Sequence, residues 1–224
     1  MTMNQKTAIL IFAQSASVEC KNKYFPKGFE LFSELNLQLF KKVKKTRLPY
    51  FIITEKEQNG TTFGERFTNA IDFVFKKGYS NIITIGNDSP ELNHRQLWQA
   101  VLSLNKSKTT IGPTFDGGFY LLAFHKSLFD KNAFLKLPWQ KKSLRKELVK
   151  LLENNGALIT TFRFYNDLDN INDTDYYLTH SFTITSEIFR LLQINLISKP
   201  NLSSWNSIKS NFTSTSFNKG SPES

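Results

Sequence analysis

Short apolar runs alternate with amphipathic segments along most of the chain, and this alternation limits the fold more than any other feature. Runs short enough for strands lie at 7–13, 50–54, 81–86, 109–113, 118–124 and 157–164. Apolar residues recur at helical spacing in the segments 29–45, 63–77, 93–105 and 141–154. Alternating strands and helices predict a mostly parallel sheet with helices on both faces.

The two apolar runs that flank Asp116 interrupt this pattern. They are too close in sequence for a crossover helix, so one is expected to run antiparallel or to lie elsewhere in the sheet, which makes the sheet mixed. One further helix is predicted within 181–197. The composition of 198–224, rich in Ser, Asn, Thr and Lys, predicts a mobile tail. We therefore expect an α/β domain over 1–180 and a C-terminal extension over 181–224.

Composition narrows the classes of partner. The formal net charge of +10 suits nucleic acid, an anionic membrane surface or a phosphorylated small substrate. Aromatic residues fall in strands and on apolar helix faces, not interleaved with lysine, which argues against nucleic acid. The single cysteine excludes an internal disulfide and favours a reducing compartment. No apolar run approaches the ~20 residues of a membrane span, so the chain is interpreted as soluble and cytoplasmic.

Acidic residues follow two of the predicted strands where each strand ends. Asp88 comes two residues after the run 81–86, and Asp169 follows the run 157–164. Ligands of open α/β sheets bind beyond the carboxyl ends of the strands, so both carboxylates are expected at one site. Mg²⁺ and Mn²⁺ prefer such oxygen ligands together with substrate phosphates. The pattern predicts Asp88 and Asp169 as ligands of a divalent cation, although each aspartate alone also fits a turn or a helix cap.

Two other residues near these strand ends suit a phosphate-bearing substrate. Gly86 ends the run 81–86 and would let a ligand approach the backbone closely. Arg66 lies near a helix start in the segment TTFGER and would suit bidentate pairing with a phosphate. The alternative for Arg66 is a pairing with Glu65 or exposure to solvent.

The stretch Asp116-Gly117-Gly118 has two interpretations. Asp-Gly is a strong signal for a hairpin turn. Two glycines beside an acid also suit close contact with a substrate. We therefore expect Gly117 and Gly118 to bind substrate, and we hypothesise that Asp116 orients or deprotonates an acceptor hydroxyl.

Five segments together resemble one protein family. The chain carries, in this order, FGERFTNAIDFVFKKG, ITIGNDSPEL, IGPTFDGGFYLLAF, LPWQ and DLDNINDTDYY. Their order and motifs resemble the DUF2064 family of glycosyltransferases in the GT-A, or nucleotide-diphospho-sugar transferase, superfamily. The resemblance spans roughly residues 7–178. It implies a GT-A-like (Rossmann-like) mixed, mostly parallel sheet that binds a nucleotide with a divalent cation.

The resemblance also implies roles for individual residues. Asp88 matches the metal-binding acid, Asp169 a second acid near the diphosphate, and Asp116 an acid over the acceptor or donor sugar. Family members usually carry a basic K-T-R-L segment soon after the first strand, and this chain departs from it there. Lys21 and Lys23 are expected to replace its phosphate contacts.

Two smaller departures from the family pattern also concern the site. Phe119 follows the two glycines where the family has Tyr or Trp. Asn170 stands where the family has Thr after its D-x-D. Both changes bear on ligand contacts more than on the fold.

The favoured function is a metal-dependent glycosyltransferase that uses a nucleotide-sugar donor and an unidentified acceptor. One alternative is a nucleotidyltransferase acting on a phosphorylated acceptor, but residues 14–24 lack the glycines that usually cradle a triphosphate. A second alternative is a non-catalytic basic binding protein.

Overall fold

A six-stranded mixed sheet forms the centre of the protein. The computed structural model describes residues 6–180 and 183–198. The strands are β1 (Thr7–Phe12), β2 (Tyr50–Ile53), β3 (Asn81–Ile85), β4 (Lys108–Pro113), β5 (Phe119–His125) and β6 (Leu158–Thr161). Their order is β2-β1-β3-β5-β4-β6. Every residue of β1 and β3 is buried, as expected of strands covered on both faces.

One strand reverses the direction of the sheet. β5 pairs antiparallel with both β3 and β4, whereas β1–β2, β1–β3 and β4–β6 are parallel pairs. The residues 114–118 join β4 to β5 directly. The prediction of a mixed, mostly parallel sheet is therefore confirmed, and β5 is the antiparallel member.

Eight α-helices surround the sheet within the described residues. They are α1 (Ala16–Asn22), α2 (Gly28–Lys44), α3 (Phe63–Lys76), α4 (His94–Asn105), α5 (Lys131–Leu135), α6 (Leu144–Asn154), α7 (Asp173–His180) and α8 (Ser186–Ile197). A 3₁₀ turn spans Lys126–Leu128. None of these helices is long and apolar enough to cross a membrane.

The helices divide the core into layers on the two faces of the sheet. On one face, α3, α5 and α6 bury Phe67, Phe134 and Leu148 against the sheet. On the other face, α2 and α4 bury Leu39 and Leu97. The prediction of helices on both faces is confirmed.

A third apolar cluster joins the C-terminal helices to the N-terminal part of the chain. Leu168, Tyr177 of α7 and Leu192 of α8 pack with Leu31 of α2. The side-chain oxygen of Asn195 accepts a hydrogen bond from the backbone N–H of Lys27, 2.7 Å away. Helix α8 lies within the predicted segment 181–197. The division of the chain at residue 180 stays a prediction, and the predicted mobile tail lies almost wholly outside the described residues.

Local capping explains why two helices begin where the sequence predicts. Thr62 and Glu65 form a reciprocal capping box at the start of α3, and Asn93 and Gln96 form another at α4. Three short helices were not predicted: α1, α5 and α7. The last strand is also shorter than the predicted run 157–164, because β6 ends at Thr161 and the chain beyond it pairs with the end of β4 only through Phe162 and an isolated bridge at Tyr165.

Gly64 on α3 lies directly under Trp139, the aromatic residue of the LPWQ segment. A methyl group added at Gly64 would come within 2.2 Å of an indole carbon of Trp139. Trp139 also packs on Phe63 and Phe67 and donates a hydrogen bond to the Phe134 carbonyl. The absence of a side chain at Gly64 therefore lets the segment before α6 lie close to α3.

We predict that Gly64→Ala lowers the free energy of unfolding by about 1–3 kcal/mol, because the new methyl group overpacks Trp139. Urea unfolding measures the loss. In a Trp139→Leu background, Gly64→Ala should cost much less; an undiminished cost would contradict the proposed collision.

Candidate active site

A buried cluster of acidic residues lies at the carboxyl edge of the sheet. Asp88 follows β3, Asp167 and Asp169 follow β6, and Glu19 lies on α1. Glu19 and Asp88 expose less than a tenth of their surface. Two hydrogen bonds join the loop after β3 to the loop after β6. The Leu168 N–H donates to the Asp88 carbonyl at 2.9 Å, and the Ser89 hydroxyl donates to Asp167 at 2.7 Å. The structure therefore brings the two predicted metal ligands, Asp88 and Asp169, into one cluster.

The ammonium group of Lys23 lies inside this cluster. Its Nζ is 2.9 Å from Asp169 Oδ1, 3.6 Å from Glu19 Oε2 and 3.8 Å from Asp88 Oδ2. It also donates a hydrogen bond to the Leu168 carbonyl at 3.2 Å. Burial alone would lower the pKa of Lys23, but the attraction of Asp169, Glu19 and Asp88 outweighs it and raises that pKa. The lysine stays charged and joins α1 to both acidic loops.

The acids of the cluster outnumber this ammonium group. Burial raises the pKa of Asp167 well above its usual range, and repulsion from Asp88, Asp169 and Asp116 adds to the rise. Burial likewise raises the pKa of Glu19, against the opposing effect of Lys23. The cluster therefore holds protons more tightly than exposed carboxylates do, and it would gain from a second cation.

A small cavity opens beside the cluster, between the end of β1, α1 and the start of α3. Glu19, Asn87, Asp88 and Arg66 line it, together with Gln14 and other residues. A larger cavity lies between α5 and α6, lined by Lys136, Glu147 and Lys150 among others. We assign the site to the smaller cavity, because only this one adjoins the acidic cluster at the strand ends.

Arg66 lines the same cavity, near the start of α3. Its Nη1 donates to the Thr61 carbonyl at 2.8 Å. Glu65 is engaged with the N–H groups of Thr61 and Thr62 and with the Thr61 hydroxyl. Arg66 lines the cavity while its guanidinium is held to the Thr61 carbonyl, so its contact with a phosphate stays a prediction, as do pairing with Glu65 and exposure to solvent.

The segment Asp116-Gly117-Gly118 is a turn in the structure. Asp116 Oδ1 accepts hydrogen bonds from the Thr114 hydroxyl and from the Gly118 N–H. Gly117 has a φ of +99°, and a side chain there would meet the Lys142 carbonyl at 2.3 Å. Gly117 and Gly118 are buried. Packing against Lys142 accounts for Gly117 without a ligand, so its contact with substrate stays a prediction, as does that of Gly118.

The two lysines that were expected to replace the K-T-R-L segment differ in environment. Lys23 is buried among the acids, whereas Lys21 is exposed on α1. In its observed position Lys23 neutralises carboxylates. The Lys23 side chain would have to turn away from these carboxylates to contact a phosphate. Gly86 is buried at the end of β3, and its N–H donates to the Tyr120 carbonyl at 3.4 Å.

Sequence reasoning missed Glu19 and Asn87 as residues of the site. Glu19 lies in the segment after the first strand, where only Lys21 and Lys23 were singled out. Its spacing of four residues from Lys23 on a helix was the available signal. Asn87 donates hydrogen bonds to Gln14 and Asn36 and so joins β1, α2 and the loop after β3.

The side chains of the acidic cluster fit the ligand preferences of a hard divalent cation only in part. Carboxylate oxygens are the correct ligand type, and the excess of acids supplies negative charge. Among the described residues, however, no three acidic, histidine or cysteine side chains are arranged to hold an ion. Lys23 already bridges Asp88 and Asp169. A cation would therefore bind Asp88 from the cavity side and need phosphate oxygens from a substrate to complete its shell.

Comparison with solved structures places this fold in a known class. A protein from Desulfovibrio desulfuricans G20, described as a "putative nucleotide-diphospho-sugar transferase", has 21% sequence identity and a TM-score of 0.72 over 84% of this chain and 94% of that chain. The chain therefore has the fold of the nucleotide-diphospho-sugar transferases.

The family resemblance is confirmed as well. Residues 38–141 match the family model described as "Uncharacterized protein conserved in bacteria (DUF2064)". This range contains the first four of the five segments quoted above, FGERFTNAIDFVFKKG to LPWQ, and ends before DLDNINDTDYY. No curated protein matches the chain.

More distant structures share only part of the architecture. A manganese complex of Rv0371c from Mycobacterium tuberculosis H37Rv is 11% identical, with a TM-score of 0.45 over 80% of this chain and 100% of that chain. A 4-diphosphocytidyl-2C-methyl-D-erythritol synthase from Anaerococcus prevotii DSM 20548 is 12% identical, with a TM-score of 0.44 over 86% and 97% of the two chains. Likenesses this weak carry no argument about activity.

We predict that Lys23→Met lowers the free energy of unfolding by about 3–5 kcal/mol at neutral pH, because it leaves buried carboxylates without their ammonium partner. The loss should shrink as the pH falls and the carboxylates become protonated. Urea unfolding at several pH values measures it. Lys21→Met, on the exposed side of α1, is the matched control and should change stability by less than about 0.5 kcal/mol. Equal stabilities of the two variants would contradict the assigned role.

Lys42 on α2 gives a second, independent prediction. Its Nζ donates to the Pro90 carbonyl at 2.8 Å and so supports the loop that holds Asp88. Burial lowers the pKa of Lys42 to about 8. Between that value and the unfolded pKa of about 10.4 the unfolded chain binds more protons, so the free energy of unfolding should rise with pH, by at most about 1.4 kcal/mol per unit.

The Lys42 prediction is tested by comparing two neighbouring substitutions. Lys42→Met should remove this contribution to the rise above pH 8, whereas Lys41→Met, at an exposed position, should keep it. Chemical unfolding across pH 7–10.5 gives the slopes. Identical slopes for Lys42→Met and the wild type would contradict the assignment.

Proposed function

We propose that this protein is a glycosyltransferase that binds a nucleotide-sugar donor in the cavity between Arg66 and Asp88. The observation that carries the proposal is the acidic cluster at the carboxyl edge of the sheet. This cluster is open to a cavity that Arg66 also lines. Phosphates meet a guanidinium bidentately, and carboxylates reach phosphates through a bridging cation. The fold class shared with nucleotide-diphospho-sugar transferases supports the same assignment.

The proposed cation is Mg²⁺ or Mn²⁺. Asp88 would hold it from the cavity side, with Asp169 as the second acid if the ammonium of Lys23 moves away. When bound, the cation would supply positive charge at the diphosphate leaving group. Arg66, which lines the same cavity, would orient the diphosphate.

Asp116 is the proposed general base. Its Oδ1 is fixed by Thr114 and Gly118, which sets the direction of the carboxylate. Thr114, two residues before Asp116, is paired with Tyr165, two residues before Asp167, so the turn lies near the acidic cluster. The acceptor hydroxyl oxygen would attack the anomeric carbon, the bond from that carbon to the diphosphate oxygen would break, and the hydroxyl proton would pass to Asp116.

Thermal shift with nucleoside diphosphates, triphosphates and nucleotide-sugars, with and without Mn²⁺, tests donor binding. A ligand at about 100 times its dissociation constant should stabilise the wild type by about 2.7 kcal/mol. We expect the shift with one nucleotide class to need Mn²⁺ and to be lost in Asp88→Asn but kept in Glu153→Gln, a control at an exposed position on α6.

Three outcomes would change the assignment. They come from this panel and from companion assays of pyrophosphate release and oligonucleotide binding. A shift that is independent of Mn²⁺ would remove the metal from the proposal. Pyrophosphate release from a triphosphate would favour the nucleotidyltransferase alternative. The absence of a shift with any nucleotide, together with salt-sensitive oligonucleotide binding that survives Asp88→Asn, would favour the non-catalytic binder.

Asp116→Asn tests the base. Asn keeps an oxygen that can accept from Thr114 and Gly118, so the turn should survive and donor binding should stay unchanged. Turnover should fall by about 10²–10⁴-fold if the residue transfers the proton. Transfer is measured as nucleotide release with the identified donor. Unchanged turnover would eliminate Asp116 as the base.

A further inference from the structure

Two exposed aromatic side chains lie together one residue from Asp116. Phe115 exposes 65% of its surface and Phe164 exposes 37%, and their ring centroids are 5.4 Å apart. Phe115 follows β4 and Phe164 follows β6, so the pair lies at the same edge of the sheet as the acidic cluster. Large aromatic faces exposed side by side mark a contact surface more strongly than a single exposed ring does.

The backbone beneath this pair is held in place by the sheet. The Phe115 N–H donates to the Tyr165 carbonyl at 3.2 Å, and the Tyr165 N–H donates to the Pro113 carbonyl at 3.1 Å. Tyr165 is buried and stacks on Tyr120 with the ring centroids 4.6 Å apart. Phe115 and Phe164 are therefore adjacent to anchored residues, which makes them a preorganised surface.

Arg145 of α6 adds a positive charge to the same surface. Its guanidinium carbon lies 4.7 Å from the ring centroid of Phe164, and its backbone N–H donates to the Gly117 carbonyl at 3.1 Å. Within the described part of the chain, Nη1 of Arg145 is shielded from solvent and has no hydrogen-bond partner. A donor left unsatisfied costs stability. Arg145 as a whole is only half-buried, so an anion from solvent can pair with the exposed part of its side chain.

The segments that surround the aromatic pair are strongly basic. Residues 113–118, 138–146 and 162–166 contribute one acid, Asp116, and five cations: Lys141, Lys142, Arg145, Lys146 and Arg163. Two acids come directly after these segments: Glu147 lines the separate cavity between α5 and α6, and Asp167 belongs to the buried acidic cluster. The charge beside Asp116 therefore suits an anion on the side away from the acidic cluster.

We infer that Phe115, Phe164 and Arg145 bind the acceptor, and that the acceptor is a ring-bearing anion. The ring, aromatic or sugar, would lie on Phe115 and Phe164, and a phosphate or carboxylate group would pair with Arg145. This inference rests on the proposed function, because the acceptor hydroxyl must reach Asp116. It gives the donor and the acceptor separate surfaces on either side of that aspartate.

Phenyl phosphate is the probe for this surface, and its binding to the full chain is measured by calorimetry and ligand-observed NMR. We expect it to bind more tightly than inorganic phosphate. The double variant Phe115→Ala/Phe164→Ala should bind it about tenfold more weakly, in line with the usual worth of stacking on an aromatic side chain. Arg145→Met should also weaken it, while Arg145→Lys should restore part of the loss.

Phe29→Ala is the matched control, since Phe29 is an exposed phenylalanine at 56% on α2. It should leave phenyl phosphate binding unchanged. The double variant should keep the nucleotide-dependent thermal shift of the wild type, so that loss of acceptor binding is separable from failure of the proposed function.

Three results would overturn the inference. The first is unchanged affinity of the double variant for phenyl phosphate. The second is inorganic phosphate binding as tightly as phenyl phosphate, which would leave the rings without a role. The third is concentration-dependent self-association in sedimentation that disappears in the double variant, which would make this surface an interface between two copies of the chain.

Discussion

The ion pairs of Lys23 hold the functional edge of this protein together. Three segments far apart in sequence, α1, the loop after β3 and the loop after β6, each bring a carboxylate to one buried ammonium group. Buried charges are costly to desolvate, and they persist only where partners compensate them. The geometry of Asp88 and Asp169 therefore depends on one lysine that directly follows a helix of only seven residues.

The main elements of the fold were readable from sequence because their local signals and their tertiary roles agree. The continuous apolar runs of β1 and β3 indicate strands buried on both faces, and both are fully buried. The capping boxes at Thr62 and Asn93 mark the starts of α3 and α4. The short spacing between β4 and β5 required one reversal of direction, which β5 supplies.

The parts that sequence did not reveal depend on contacts between distant residues. The side chain of Ser15 does not cap α1. Instead, the N–H and the hydroxyl of Ser15 donate hydrogen bonds to Glu55, forty residues later. Asp88 and Asp169 were expected to meet because strand ends converge. Nothing local indicates that Lys23 lies between them, or that Arg66 and Asp88 line the same cavity. Such facts belong to the packing of loops, which periodicity and motif spacing do not encode.

The antiparallel strand has a consequence for the order in which the chain can fold. β5 lies between β3 and β4 and is made after both, so β3 keeps an unpaired edge until about residue 125 has been synthesised. Unpaired strand edges are the surfaces through which nascent chains associate wrongly. The hairpin that carries Asp116 thus also closes the middle of the sheet. Until β5 has emerged from the ribosome and paired, that apolar edge stays open to wrong association, and a chaperone that shields strand edges would protect the chain during that interval.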